Sequence, residues 1–206
     1  MIGSTAPTIG FDLDMTLIDS RPGIRKVYDL LAAETGVFID SDLVVSRLGP
    51  PVEQELAHWF PAEDLREAAD RYRALYALHG IEDCLALPGA YEALAAVRAH
   101  GGRALVVTGK NTSNARLNLD ALGLAVDGVH GSVFGPEKGT VLREEGATVF
   151  VGDHLADILG ARTADALAVT VATGPYSAEE LHAAGADVVL PDLTGFPDWL
   201  ASHLDR

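Results

Sequence analysis

The sequence predicts an α/β fold: a doubly wound parallel sheet with an inserted helical cap domain. Three observations predict it. From Pro88 onward, short apolar runs alternate with amphipathic helical stretches, the pattern of a parallel sheet covered on both faces. The first apolar run is cut off from the others by a block that has helical periodicity alone. Three of the runs end in polar groups suited to phosphate or metal. The 206 residues therefore divide into a core, residues 1–19 and 88–206, and a helical cap, residues 20–87.

The elements follow in order. Thr8 to Leu13 reads as a buried strand. Ile24, Val27, Tyr28 and Leu31 fall at helical spacing, and Gly36 is placed to cap that helix. Gly49-Pro50-Pro51 breaks the chain, and Leu65, Ala68, Ala69, Tyr72, Leu75 and Tyr76 give a further helix one apolar face. No strand is expected between residues 20 and 87. Pro88 opens a helix whose apolar face is Tyr91, Leu94 and Val97. Strands are then expected at 103–108, 126–130, 148–151, 167–171 and 187–190. Helices are expected between them, to about Leu122, at 140–145, from Leu155 and at 178–184, and Phe196, Trp199 and Leu200 mark a docked helical tail.

Composition narrows the function. Formal net charge is -15, which repels a nucleic-acid backbone, so no nucleic-acid partner is expected. An anionic ligand would need a local positive site. Cys84 is the single cysteine, so no internal disulfide can form. No apolar run approaches the roughly 18 residues of a membrane span, and no secretion signal is evident at the N-terminus. These features lead to an expectation of a soluble, cytoplasmic protein with no membrane partner, as a monomer or homodimer. Only Lys26, Lys110 and Lys138 are lysines, and two of them stand beside candidate site residues.

Ligands of an open parallel sheet bind outside the carboxyl ends of its strands. The first strand ends in Asp12 and Asp14, the second in Thr108-Gly109-Lys110, and the fourth in Gly152-Asp153-His154. Two residues apart on extended backbone, Asp12 and Asp14 project the same way. Close carboxylates repel and need a cation or a shared proton. Three such oxygen donors suit Mg²⁺. Singly, an Asp at a strand end is often just a helix or turn cap; three converging ends are far more specific. His154 is read as structural, and the other six histidines form no metal spacing.

Asp12-Leu13-Asp14-Met15-Thr16, Thr108, Lys138 and Gly152-Asp153-x-x-x-Asp157 resemble the four motifs of the haloacid dehalogenase-like (HAD) superfamily, whose core is Rossmann-like. The insert resembles the small helical cap of phosphoglycolate phosphatases. The resemblance implies that Asp12 attacks phosphorus and forms an aspartyl phosphate, and that Asp14 is the general acid and base. It implies that Mg²⁺ is held by the Asp12 carboxylate, the Asp14 backbone carbonyl and Asp153. Thr108 and the Gly109 N–H would bind phosphate, and Lys138 would neutralise charge. Asp157 would orient Lys138 or a metal-bound water, and Thr16 would order the loop after Asp14. Lys110 is a candidate substrate contact or a helix start. Arg47, in the cap loop Arg47-Leu48-Gly49-Pro50-Pro51, is a candidate for a substrate carboxylate or a surface residue.

The expected activity is Mg²⁺-dependent hydrolysis of a small phosphorylated metabolite, with phosphoglycolate as the leading substrate. Alternatives are phosphoryl transfer or mutase chemistry in the same superfamily, and a homologue that binds phosphate without catalysis. Ile24 stands where the mutase branch carries histidine, and Asp14 is the acid that the dehalogenase branch lacks. A signalling receiver domain shares acids, Thr and Lys but has no cap. Three departures from the family pattern stand out: Met15 replaces a common glycine, Gly109 a frequent asparagine, and Lys138 precedes Asp153 by only 15 positions.

Overall fold

The computed structural model describes residues 6–205, so the expected core limits at residues 1 and 206 lie outside the described residues. Six parallel strands form one sheet: β1 (Thr8–Phe11), β4 (Arg103–Val107), β5 (Gly128–His130), β6 (Val149–Gly152), β7 (Leu167–Val171) and β8 (Val188–Leu190). Their spatial order is β5-β4-β1-β6-β7-β8. The chain builds outward from β1 to one edge, then returns to build the other, so the order reverses at β1 and β6. Phe11 lies opposite Val106 on one side and Val151 on the other, which brings the ends of three strands together.

Alternation along each strand fills two cores. Ile9, Phe11, Ala104, Val106, Val151 and Val169 face one helical layer with Leu94, Phe196 and Leu200. Leu105, Val107, Phe150 and Ala168 face the other, with Leu142, Ile158 and Leu181. Helices α5 (Ala90–Ala99), α6 (Thr112–Leu122), α7 (Pro136–Glu144), α8 (Leu155–Thr163), α9 (Ala178–Ala183) and α10 (Phe196–Leu204) supply those layers. The expected apolar face of α5 is corrected at one position. Ala90, Ala93, Leu94 and Val97 are buried, whereas Tyr91 is half exposed and its hydroxyl donates to the Leu122 carbonyl at 2.7 Å. The small alanines let α5 approach the sheet, and Tyr91 spans the gap to α6.

The insert holds α1 (Arg21–Thr35), α2 (Ser41–Val45), α3 (Val52–Leu56) and α4 (Leu65–His79). It has an apolar cluster of its own, in which α1 and α4 pack through Val27, Tyr28, Leu31, Ala69, Tyr72 and Tyr76. The expectation of no strand in residues 20–87 is corrected. β3 (Leu85–Ala86) pairs antiparallel with β2 (Ile18–Asp19), tying the two crossings between insert and sheet. Two-residue strands carry no period-2 signal, and Leu85 is exposed, so the apolar pattern could not show them. Among the described residues no helix is long and apolar enough to cross a membrane.

The tail helix is locked to the sheet by Phe196, fully buried and edge-on to Phe11 at 5.4 Å between ring centroids. Phe196→Ala is expected to cost about 3–5 kcal/mol of stability. Denaturant unfolding would show it as a lower midpoint with an unchanged slope.

Candidate active site

The nucleophile candidate follows β1 directly. The Asp12 N–H donates to the Val151 carbonyl at 2.8 Å, which extends the ladder one residue past the strand. The chain then folds back over itself: the Leu13 carbonyl accepts from the N–H groups of Leu17 at 2.9 Å and Ile18 at 3.1 Å. Met15 closes this loop in the left-handed region, with φ 60°. That is the conformation glycine adopts without cost, so the common glycine at this position has a backbone reason. Here a buried methionine accepts the strain. Its carbonyl is held by the Thr173 hydroxyl at 2.5 Å.

Lys138 sits at the centre of the charged cluster. It lies in the first turn of α7 and is 2% exposed. Its Nζ is 2.7 Å from Asp157 Oδ1 and 3.0 Å from Asp12 Oδ1. Burial opposes its charge, but the two carboxylates outweigh burial and hold its pKa above the ordinary lysine value. The contact to Asp12 is an ion pair outside hydrogen-bond alignment, so Asp12 Oδ1 stays buried without a hydrogen-bond partner. Asp12 is pushed up to about 6, chiefly by burial, with Lys138 pulling the other way and Asp157 and Asp14 adding to the rise.

Asp153, Asp157 and Asp12 bring carboxylate oxygens within 4.8 Å of one another. Burial and then the two neighbouring carboxylates raise Asp153 well above the usual range. The Thr16 hydroxyl donates to Asp153 Oδ1 at 2.8 Å, so Thr16 orders this acid. Asp157 is fully engaged: Oδ1 takes Lys138, and Oδ2 accepts from the His154 N–H at 3.1 Å in the capping box of α8. One ammonium cannot balance three buried carboxylates. The hard oxygen donors of Asp12 and Asp153 and their mutual repulsion fit a divalent cation with oxygen ligands. The Asp14 carboxylate lies outside this cluster.

Asp14 is held instead by Lys110, whose Nζ is 2.7 Å from Asp14 Oδ1 and 3.0 Å from the Tyr76 hydroxyl. Lys110 thus ties Asp14 to Tyr76 of the insert. Thr108 is fully buried after β4, and its Oγ1 accepts from the Lys110 N–H at 3.2 Å, which leaves the hydroxyl proton free for a ligand. Gly109 faces the insert: a Cβ there would stand 3.3 Å from the Gly49 carbonyl. A bulkier residue would press on the loop that covers the site. Arg47 lines the cleft, but its guanidinium is bound at both ends by Glu55, at 2.7 and 3.0 Å.

Asp12, Asp14, Thr108, Gly109, Lys110 and Arg47 line one cleft between the sheet edge and the insert. His154 is structural: its Nδ1 accepts from the Ala156 N–H at 3.0 Å, and its ring abuts Gly49. Sequence reasoning missed Tyr76 and Gly174. Tyr76 reads as part of an apolar helix face, and its hydroxyl also meets Asn118 across the insert boundary. Gly174 passes so close to Asp153 that a Cβ would fall 1.8 Å from Oδ2. Nothing but the Gly-Pro pair after β7 hints at this.

The model of the haloacid dehalogenase-like hydrolase family matches residues 9–162. The phosphoglycolate phosphatase of Rhodospirillum rubrum is 31% identical over 92% of this chain and 89% of its own length. A 5'-nucleotidase of Pseudomonas aeruginosa is 29% identical over 96% of each chain. Among solved structures, a predicted phosphatase from Clostridium acetobutylicum superposes with a TM-score of 0.83 at 22% identity, covering 97% of this chain and 100% of the other. The chain belongs to the haloacid dehalogenase-like hydrolase family, among its phosphatases.

Proposed function

We propose that the chain is a Mg²⁺-dependent phosphomonoester hydrolase that works through an aspartyl-phosphate intermediate on a small phosphorylated metabolite. The observation that carries this reading is Asp12. It is a buried carboxylate, set against a charged lysine and facing the same cleft as Asp14 and Thr108.

Asp12, the Asp14 backbone carbonyl and Asp153 would hold Mg²⁺, whose charge, when bound, offsets the repulsion between a carboxylate and a phosphate. The Thr108 hydroxyl and the Gly109 N–H bind phosphate oxygens. Lys138, kept protonated by its carboxylate partners, adds fixed positive charge in a dry site. An Asp12 oxygen attacks phosphorus, and the ester oxygen leaves with a proton from Asp14. Asp14 then takes a proton from the water that cleaves the acyl phosphate, releasing inorganic phosphate and restoring Asp12. Lys110 orients Asp14 for both proton transfers. Asp157 positions Lys138, and the insert acts as a cap that excludes bulk water. A relative at 31% identity is named for phosphoglycolate, which makes that ester the reference against which other substrates are compared. Hydrolysis is favoured over mutase chemistry because Ile24, which lines the cleft, offers no second acid or base.

Three expectations follow. Asp12→Asn should lower kcat by more than roughly 1,000-fold, and Asp14→Asn by about 100- to 10,000-fold, in a Mg²⁺ assay with an aryl phosphate. Near-normal turnover in either removes its assigned role. Mg²⁺ should raise the Tm of the wild type and leave Asp153→Asn unmoved, since bound metal stabilises the folded state alone. Gly174→Ala should lose most activity while retaining native circular dichroism, because the added methyl displaces the Asp153 carboxylate.

A further inference from the structure

We infer that the substrate's leaving group is uncharged and partly apolar, an alcohol bearing an alkyl or ring face rather than a carboxylate. This rests on the phosphatase reading above and specifies what that site accepts. Among the described residues, each cation lining the cleft is already taken. Arg47 is forked onto Glu55, Lys110 is on Asp14, and Arg73 is paired with Glu53 and Asp70.

A substrate carboxylate would have to break one of these pairs. Releasing Arg47 would strand Glu55, which is 8% exposed and otherwise held by the Trp59 indole N–H at 2.9 Å. Releasing Lys110 would free the acid that the reaction needs oriented. Removing one partner of a buried pair leaves an uncompensated charge, the costly case. The acids Asp14, Glu53, Glu55 and Asp70 together with a net charge of -15 further disfavour a second anionic group on the substrate.

The rest of the insert wall suits the opposite chemistry. Ile24, Val44 and Val52 line it beside Tyr28 and Tyr72, whose rings pack 4.7 Å apart. These two tyrosines bring hydroxyls as well as ring faces to the wall, and a hydroxyl can serve a hydroxyl or ring heteroatom of an uncharged ligand. Such a wall gains affinity from buried apolar area and from a few neutral hydrogen bonds.

Three esters with alkyl leaving groups separate the possibilities: phosphoglycolate, ethyl phosphate and benzyl phosphate, each assayed with Mg²⁺. Ethyl phosphate matches phosphoglycolate in reach but lacks the carboxylate. Expected kcat/KM rises at least about tenfold from phosphoglycolate to ethyl phosphate, and about tenfold again to benzyl phosphate. Tyr72→Ala should remove the benzyl advantage. Arg47→Gln should change phosphoglycolate and ethyl phosphate alike. A first rank for phosphoglycolate, or its selective loss in Arg47→Gln, overturns this inference and leaves the phosphatase reading standing. No turnover of any of the three esters removes both.

Discussion

The buried ion pairs of Lys138 are the constraint on which the rest depends. A fully buried ammonium persists only with partners, and here they are Asp12 and Asp157. The geometry requires α7 and α8 to lie close together. Gly139 and Gly160 allow it, since a Cβ on Gly139 would stand 2.6 Å from the Gly160 carbonyl. Asp157 both completes the capping box of α8, whose N-cap is His154, and anchors Lys138. Helix packing, capping and charge compensation at Asp12 are therefore one structural solution.

A second constraint is the loop after β1. Met15 holds a left-handed backbone conformation that costs roughly 1–2 kcal/mol outside glycine, and threonine hydroxyls offset it. Thr173 binds the Met15 carbonyl, while Thr16 binds Asp153. The loop thereby fixes the direction of Asp153. Packing of Gly174 against Asp153 closes this arrangement from β7.

The insert is coupled to the chemistry through polar contacts across a cleft. Tyr76 of α4 holds Lys110, Lys110 holds Asp14, and Asn118 of α6 holds the same tyrosine hydroxyl. The loop at Gly49 touches both Gly109 and the His154 ring. Small residues at 49 and 109 let that loop descend onto the end of β4. The absence of an asparagine at 109 thus reflects the room this loop needs.

Much of this was legible in the residues themselves. Near-continuous apolar strands require a sheet covered on both sides, and the polar endings of the strands mark the one place where chemistry can gather. Asp12, Asp14, Thr108, Gly109 and Lys110 do line one cleft, with Lys138 and Asp153 beside Asp12. Sequence spacing could not reveal which partner each charge takes, because those pairs join residues 19 to 137 positions apart. The burial of Lys138 in α7 against Asp12 and Asp157 likewise has no local signal. Arg47 reads in the sequence as a substrate contact or a surface residue, and in the structure Glu55 holds its guanidinium. Tyr76 and Gly174 carried no local signal, since one works through a hydroxyl on an otherwise apolar face and the other through the absence of a side chain. Local pattern determines where the backbone goes and where ligands can meet it. Only packing in three dimensions decides which charges are neutralised, and therefore which ones remain for the substrate.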